Sequence, residues 1–124
     1  MARELILSCF HARTVAHFLH LTTRSYAAHK ALNEFYDEII GLVDSFAEAY
    51  QGEYGLIDFG GDEVDLTGEL APFYKDALPM LDDLRECVDQ CGKKLHKDDT
   101  HLHNILDEFR SLIAATQYKL RFLK

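Results

Sequence analysis

The amino-acid sequence predicts an all-α fold, a bundle of four helices with one long connection between the second and the third. Apolar side chains recur every three or four residues through most of the 124 residues, and this is the period of a helix. The chain has only two prolines, and five of its seven glycines fall within residues 52–68, so the residues that interrupt helices are concentrated in the middle. A chain of this length suits one domain, and we expect a single domain over residues 1–124.

The first half of the chain is expected to form a hairpin of two helices. The first predicted helix covers residues 3–21 and the second covers residues 26–51, with a short connection in which Ser25 is a suitable N-cap. Gly52 is expected to end the second helix. The residues expected to be buried are Leu5, Cys9, Ala12, Ala16 and Leu19 in the first helix and Leu32, Phe35, Ile39, Leu42, Val43, Phe46 and Tyr50 in the second.

The second half is expected to form another hairpin, with helices over residues 79–96 and 100–123. Pro79 is favoured at the first position of a helix, and Asp98 or Asp99 is expected to cap the last helix. The residues expected to be buried are Leu81, Leu84, Val88, Cys91 and Leu95 in the third helix and Leu102, Ile105, Leu106, Phe109, Leu112, Ile113 and Leu120 in the fourth.

The two hairpins are joined by a long crossover over residues 52–78, in which residues 69–77 are compatible with a short helix. Two short turns and one long middle connection predict a bundle with a single crossover, which is one of the few common bundle topologies.

Charge and composition limit the partners of the chain. Its net charge is −8, which opposes binding to nucleic-acid phosphates and to anionic membranes and suits cations better. No apolar run reaches the length of a membrane span, and the first residues lack the pattern of a secretory signal. The three cysteines are an odd number and are best interpreted as reduced thiols. We therefore expect a cytoplasmic protein without membrane contact.

A polar stripe runs beside the apolar face of the second predicted helix. His29, Asn33, Asp37, Asp44 and Glu48 fall within about 100° of the helical wheel. Histidines and carboxylates on one side of a helix can coordinate a metal, although a polar flank is also ordinarily solvated. Asp44 follows His29 by fifteen positions, about 22 Å along a helix axis, so one ion cannot touch both within one chain. A metal site that uses both ends requires two chains related by a two-fold axis across this helix.

The segment from His17 to Glu48 resembles the mini-ferritins, the family of DNA-protection-during-starvation (Dps) proteins. In that family a histidine followed by an aromatic residue precedes a second histidine by twelve positions, an aspartate comes four positions later, and an Asp-x-x-x-Glu pair begins fifteen positions after the second histidine. Here His17, His29, Asp44 and Glu48 match these spacings without a gap. Asn33 occupies the position of the family's first aspartate. Residues 98–123 also resemble the last helix of the family, so the resemblance covers about two thirds of the chain.

The resemblance implies a ferritin-like four-helix bundle with a di-iron ferroxidase centre shared between two subunits. His17, His29 and Asn33 would come from one chain, and Asp44 and Glu48 from its two-fold mate; His17, His29, Asp44 and Glu48 would carry the catalysis. The reaction would be oxidation of Fe(II) by hydrogen peroxide or dioxygen. Fe(III) would be mineralised inside an oligomeric shell, a dodecamer built from two-fold dimers, for iron storage and protection against oxidative stress.

The resemblance leaves an alternative function and excludes one partner. The alternative is a non-catalytic ferritin-like oligomerisation or interaction protein with a degenerate metal site, because Asn33 offers a neutral amide where the family has a carboxylate. Family members that bind DNA directly often use basic flexible tails, and this sequence shows none. We therefore do not expect DNA binding.

Two other groups of residues have side chains that can bind metals. His96, His101 and His103 surround the predicted turn between the last two helices, near Cys91, but lack the spacing of a zinc framework and are expected to be solvated. The acidic residues of the crossover lack the spacing of a calcium loop and are expected to be solvated or to attract cations; they are Asp58, Asp62, Glu63, Asp65 and Glu69. His20 has no partner that the sequence identifies, and we expect it near the proposed site.

Overall fold

The computed structural model describes residues 2–60 and 74–124, and within these ranges the regular structure is entirely helical. The helices are α1 (Ala2–Thr22), α2 (Tyr26–Tyr54), α3 (Ala77–Lys94) and α4 (Thr100–Phe122). The predicted all-α, four-helix fold is thus confirmed. None of these helices combines the length and the apolar content that crossing a bilayer requires, within the part of the chain described.

The end of α2 differs from the prediction that Gly52 stops the helix. The helix continues through Gly52 to Tyr54, and Gly55 is the C-cap, with a φ of 93° and its N–H donating to the Gln51 carbonyl. A glycine inside a helix lowers stability by only about 1 kcal/mol relative to alanine. Termination instead needs a residue that leaves the helical region of φ, and Gly55 is the glycine that does so.

The start of α3 also differs, because Ala77 and not Pro79 is the first helical residue. The Asp76 carboxylate caps the helix by accepting a hydrogen bond of 3.1 Å from the Leu78 N–H. Pro79 still lies in the first turn, where the missing N–H has no partner to lose. Of the short helix considered over residues 69–77, residues 69–73 lie outside the described residues, and Ala77 belongs to α3.

The caps of the two other predicted starts can be compared directly. Ser25 caps α2 as predicted, since its hydroxyl oxygen accepts a hydrogen bond of 3.2 Å from the Ala28 N–H. Asp99 is the N-cap residue of α4, but its side chain makes no bond to the helix and accepts instead from the Tyr54 hydroxyl. That bond ties the end of α2 to the start of α4.

The four helices pack as a square in which α1 and α4 each contact α2 and α3, without contacts across the diagonals among the described residues. Lys119 pairs with Glu34 at 2.6 Å near one end of the bundle, and Tyr54 bonds to Asp99 near the other. α2 and α4 are therefore antiparallel neighbours, and a position on α2 that moves forward along the chain lies level with one that moves back on α4.

The connection after α2 runs the length of the bundle. It leaves α2 beside the start of α1, where the Arg3 guanidinium donates to the Phe59 carbonyl at 3.3 Å. It returns at the other end, where Lys75 and Asp76 border the same pocket as Thr22. α2 and α3 are consequently parallel, and the bundle has the single crossover that the sequence predicts, a topology that ferritin-like folds use.

The core is made of the residues that the helical period selects. The predicted core positions that are buried are Leu5, Cys9, Ala12, Ala16, Leu32, Phe35, Ile39, Val43, Phe46, Leu81, Leu84, Val88, Cys91, Leu102, Leu106, Phe109 and Ile113. The remaining ones are partly buried and pack at the rim: Leu19, Leu42, Tyr50, Leu95, Ile105, Leu112 and Leu120. Full burial of one large apolar side chain stabilises the fold by roughly 1.5–3 kcal/mol, so this face of α2 is fixed inwards and its polar stripe outwards.

The cysteines are part of this packing and their thiols are free. Burial raises the pKa of the Cys9 thiol, and it raises the pKa of the Cys91 thiol to about 11. Both therefore stay protonated at neutral pH and behave as small apolar core residues.

Candidate functional site

Three histidines from two helices meet beside the turn between α1 and α2. The rings of His20 and His29 are stacked, with centroids 3.7 Å apart and planes at 20°. His17 meets the edge of the His20 ring at a centroid distance of 5.8 Å. The short turn causes this meeting, because it folds the first turns of α2 back along the last turns of α1. We call His17, His20 and His29 the histidine cluster.

Backbone carbonyls fix the protons of two of these rings. Nδ1 of His20 lies 2.7 Å from the His29 carbonyl oxygen, and Nδ1 of His29 lies 2.9 Å from the His20 carbonyl oxygen. A carbonyl only accepts, so each Nδ1 carries a proton and donates it. The other nitrogen, Nε2, then keeps its lone pair whenever the ring is neutral. Histidines that bind metals are usually held in this way through their second nitrogen.

The same two hydrogen bonds have a structural role. The last carbonyls of a helix have no intrahelical partner, and the His29 ring satisfies that of His20 near the end of α1. The pair therefore fastens the α1–α2 hairpin whether or not a metal binds.

Tyr36 organises the rest of the cluster. Its ring stacks on the exposed His17 ring at 4.3 Å, with planes at 16°, and meets the edge of His20 at 5.3 Å. Its hydroxyl donates to Oδ1 of Asn33 at 2.6 Å, and the Asn33 amide donates to Asp37 at 3.2 Å. The amide oxygen of Asn33 thus uses one lone pair on Tyr36 and keeps the second.

A surface pocket of about 350 Å³ opens beside the cluster. Lys30 lies over the Tyr26 ring, 5.8 Å from its centroid. The hydrogen bond and charge of Lys119 lower the pKa of the Glu34 carboxyl, which keeps a carboxylate at the pocket edge. The pocket is lined by His20, Tyr26, His29, Lys30, Asn33 and Glu34.

Asp44 and Glu48 are exposed on the outward face of α2, away from the histidine cluster along the helix. Over residues 2–60 and 74–124, no three side chains of histidine, cysteine, aspartate or glutamate are grouped so that they could hold a metal ion. One chain brings His17, His29 and Asn33 to one corner and leaves Asp44 and Glu48 elsewhere. The completion of the site by a second chain therefore stays a prediction.

Sequence reasoning gave no partner for His20 and did not consider Tyr36 at all. His20 follows His17 by three positions and so shares its side of α1, and this spacing was the available signal. Tyr36 follows Asn33 by three positions on α2, which puts the two side chains within reach of each other. In both cases the contact itself depends on how tightly the hairpin turns.

The other histidines behave as expected for residues near a turn. His96 lies beside Asp98 at 3.7 Å, and Nε2 of His101 lies 3.2 Å from Glu53. Nε2 of His103 donates to the His96 carbonyl at 3.2 Å.

Of the acidic residues of the crossover, Asp58 lies in the described part of the chain, and its carboxylate accepts from the Gly60 N–H at 2.9 Å. The others lie outside the described residues: Asp62, Glu63, Asp65 and Glu69.

These features define an all-α, single-crossover four-helix bundle with a histidine-rich corner. A family model described as "Family of unknown function (DUF5856)" matches residues 20–120. Since this is most of the chain, the protein belongs to that family. The matched range includes His29, Asp44 and Glu48 and begins after His17. No curated protein and no solved structure matches the chain.

Proposed function

We propose that the protein is a ferroxidase that binds Fe(II) between two copies of its chain and oxidises it to Fe(III) for storage. The observation that carries this proposal is the orientation of His29. Its Nδ1 proton is held by a backbone carbonyl, which frees Nε2 beside Asn33 and in the same corner as His17. Imidazole and carboxylate ligands together suit Fe(II), and His17, His29, Asn33, Asp44 and Glu48 supply both kinds.

The positions on α2 support a two-fold pairing of chains. His29 and Glu48 are centred between residues 38 and 39, and so are Asn33 and Asp44. An antiparallel pairing about that point sets each His29 beside the partner's Glu48 and each Asn33 beside the partner's Asp44. In that arrangement the distance of about 22 Å within one chain no longer separates the ligands.

The proposed reaction takes one electron from each of two Fe(II) ions. Hydrogen peroxide accepts both electrons with two protons and becomes two water molecules; dioxygen is the other candidate oxidant. The part of the protein is to hold two substrate ions close together and to balance their rising charge with the carboxylates of Asp44 and Glu48. The net charge of −8 favours the arrival of further cations. Storage as an Fe(III) mineral would follow within a cytoplasmic oligomeric shell.

A second candidate function has its own supporting observation. The bonds of His20 and His29 to the backbone fasten the hairpin, and Tyr36 occupies one lone pair of Asn33. These contacts also suit a non-catalytic oligomerisation or interaction protein in which the cluster is structural.

Iron oxidation distinguishes the two candidates. Fe(II) is added to the purified protein with hydrogen peroxide or in air, and ferric absorbance is followed against buffer. The D44A/E48A double variant should lose the rate enhancement. The matched control is D82A/E86A, which removes two exposed carboxylates at the same spacing from α3. The proposal fails if the wild-type protein is no faster than buffer, or if D44A/E48A and D82A/E86A behave alike.

A further inference from the structure

The outward face of α4 is divided by charge along its length. We call this surface the α4 outer face and define it by Asp107, Ser111, Ala114, Tyr118, Arg121 and Phe122, all of which are exposed. An acidic residue lies at its beginning, small uncharged residues lie in the middle, and a basic residue with two aromatic rings lies at its end. Tyr118 and Phe122 are 54% and 71% exposed, which leaves much apolar area for a partner to cover.

A groove lies beside this face, between α2 and α4, with a volume of about 750 Å³. Its walls include the small residues Gly41, Ser45, Ser111 and Ala115. No atom lies within 4 Å of the place that a Cβ on Gly41 would take. Small residues on both helices leave room for another chain to approach the backbone closely.

The charge order of the α4 outer face makes it complementary to itself. Asp107 and Arg121 each lie seven positions from Ala114, on the same edge of the helix. Two copies packed antiparallel about this point set Asp107 against the partner's Arg121, and Tyr118 over the partner's Ser111. A parallel arrangement would instead set like charges against each other, so the antiparallel one is favoured.

The same axis also serves α2. The contacts of Glu34 with Lys119 and of Tyr54 with Asp99 align the two antiparallel helices. Since both rise equally per residue, residues 38–39 of α2 lie level with residues 114–115 of α4. The centre required by the proposed iron ligands and the centre required by the α4 charges thus lie at one height of the bundle.

We infer that α2 and α4 together form one two-fold interface with a second copy of this chain, in which each helix packs antiparallel on its own counterpart. The inference rests on the proposed function for the α2 half of the interface, whereas the α4 half stands on its own charges. A face about 30 Å long and about 20 Å wide covers roughly 600 Å² per partner. The dimer then belongs at the lower end of the specific interfaces, which bury about 1,200–2,000 Å² in total.

Charge reversal on the α4 outer face tests the inference without iron. The monomer–dimer equilibrium is measured by sedimentation for wild type, D107K, R121E and the double variant D107K/R121E. Each single variant should weaken dimerisation about 10-fold, because it sets two pairs of like charges against each other. The double variant should recover most of the affinity, since it restores opposite charges in exchanged places. K93E, a charge reversal at an exposed site on α3, should leave the equilibrium unchanged.

The outcomes separate this inference from the proposed function. A wild-type protein that stays monomeric overturns the inference, and so does a double variant as weak as the single variants. A dimer that responds to these charges but oxidises no Fe(II) supports the interface and removes the ferroxidase. Iron oxidation that depends on Asp44 and Glu48, together with a dimer indifferent to Asp107 and Arg121, retains the ferroxidase and removes the α4 half of the interface.

Discussion

Replacement of His29 by alanine separates the structural role of the histidine cluster from its proposed role in iron binding. The variant loses the hydrogen bond from Nδ1 to the His20 carbonyl and the ring stack at 3.7 Å. A hydrogen bond contributes about 1 kcal/mol and an aromatic stack about 0.5–1.5 kcal/mol. Because the ring is only partly buried, we expect a loss of about 1–2 kcal/mol of unfolding free energy. For a domain of this size that lowers Tm by about 4–8 °C.

A glutamine at the same position provides the sharper comparison. H29Q keeps a side-chain N–H that can donate to the His20 carbonyl, but it has no imidazole nitrogen for a metal. We expect H29Q to recover part of the lost stability while Fe(II) oxidation stays as low as in H29A. Thermal unfolding and the ferric absorbance assay measure the two effects on the same samples, with H101A, the loss of an exposed histidine beside Glu53, as the control.

The reasoning is refuted in either of two ways. If H29A unfolds at the wild-type temperature, the hydrogen bond and stack do not fasten the hairpin. If H29A or H29Q oxidises Fe(II) at the wild-type rate, His29 is not a ligand.

Two further predictions concern single carboxyl groups. N33D replaces the neutral amide by a carboxylate and should increase Fe(II) affinity and the rate of oxidation, as measured by metal titration and ferric absorbance; an unchanged affinity would show that position 33 does not touch the metal. Burial acts to raise the pKa of Asp89, but its hydrogen bond with Arg110 and the charge of that residue outweigh burial, so the pKa lies below 3.8. Asp89 should therefore stabilise the fold above about pH 4 and lose this contribution as pH falls through its lowered pKa, so denaturant unfolding should show D89N less stable than wild type at pH 7 and the difference vanishing near pH 2.

The sequence was informative about burial and less so about where helices end. Leu32, Phe35 and Ile39 are buried because a helix that keeps its period has no other way to cover them, so the wheel alone predicts them. Gly52 and Gly55 are chemically identical, and the sequence does not say which one leaves the helix. That choice depends on where the chain must turn towards Phe59 and the start of α1, which is a property of the packed bundle.

The candidate site shows the same division. His17, His29 and Asn33 could be proposed from spacing, because positions on one helix face and a short hairpin turn bring them to one corner. The fixed protons of His20 and His29 could not, since each ring bonds to the backbone of the other helix. Contacts between side chain and backbone across a turn depend on a few tenths of an ångström in how the hairpin closes, and no periodicity in the sequence carries that information.

Iron binding and pairing of chains must be coupled if the two proposals hold together. Folding of one chain already orients His17, His29 and Asn33, so the ordering of half the ligands is completed before any metal arrives. The other half, Asp44 and Glu48, is supplied only by the second chain. Metal that binds the pair and not the single chain stabilises the pair by mass action, and by linkage the pair binds metal more tightly than the single chain to the same degree. An interface of roughly 600 Å² per partner, at the lower end of stable interfaces, is weak enough for this coupling to govern whether the dimer forms.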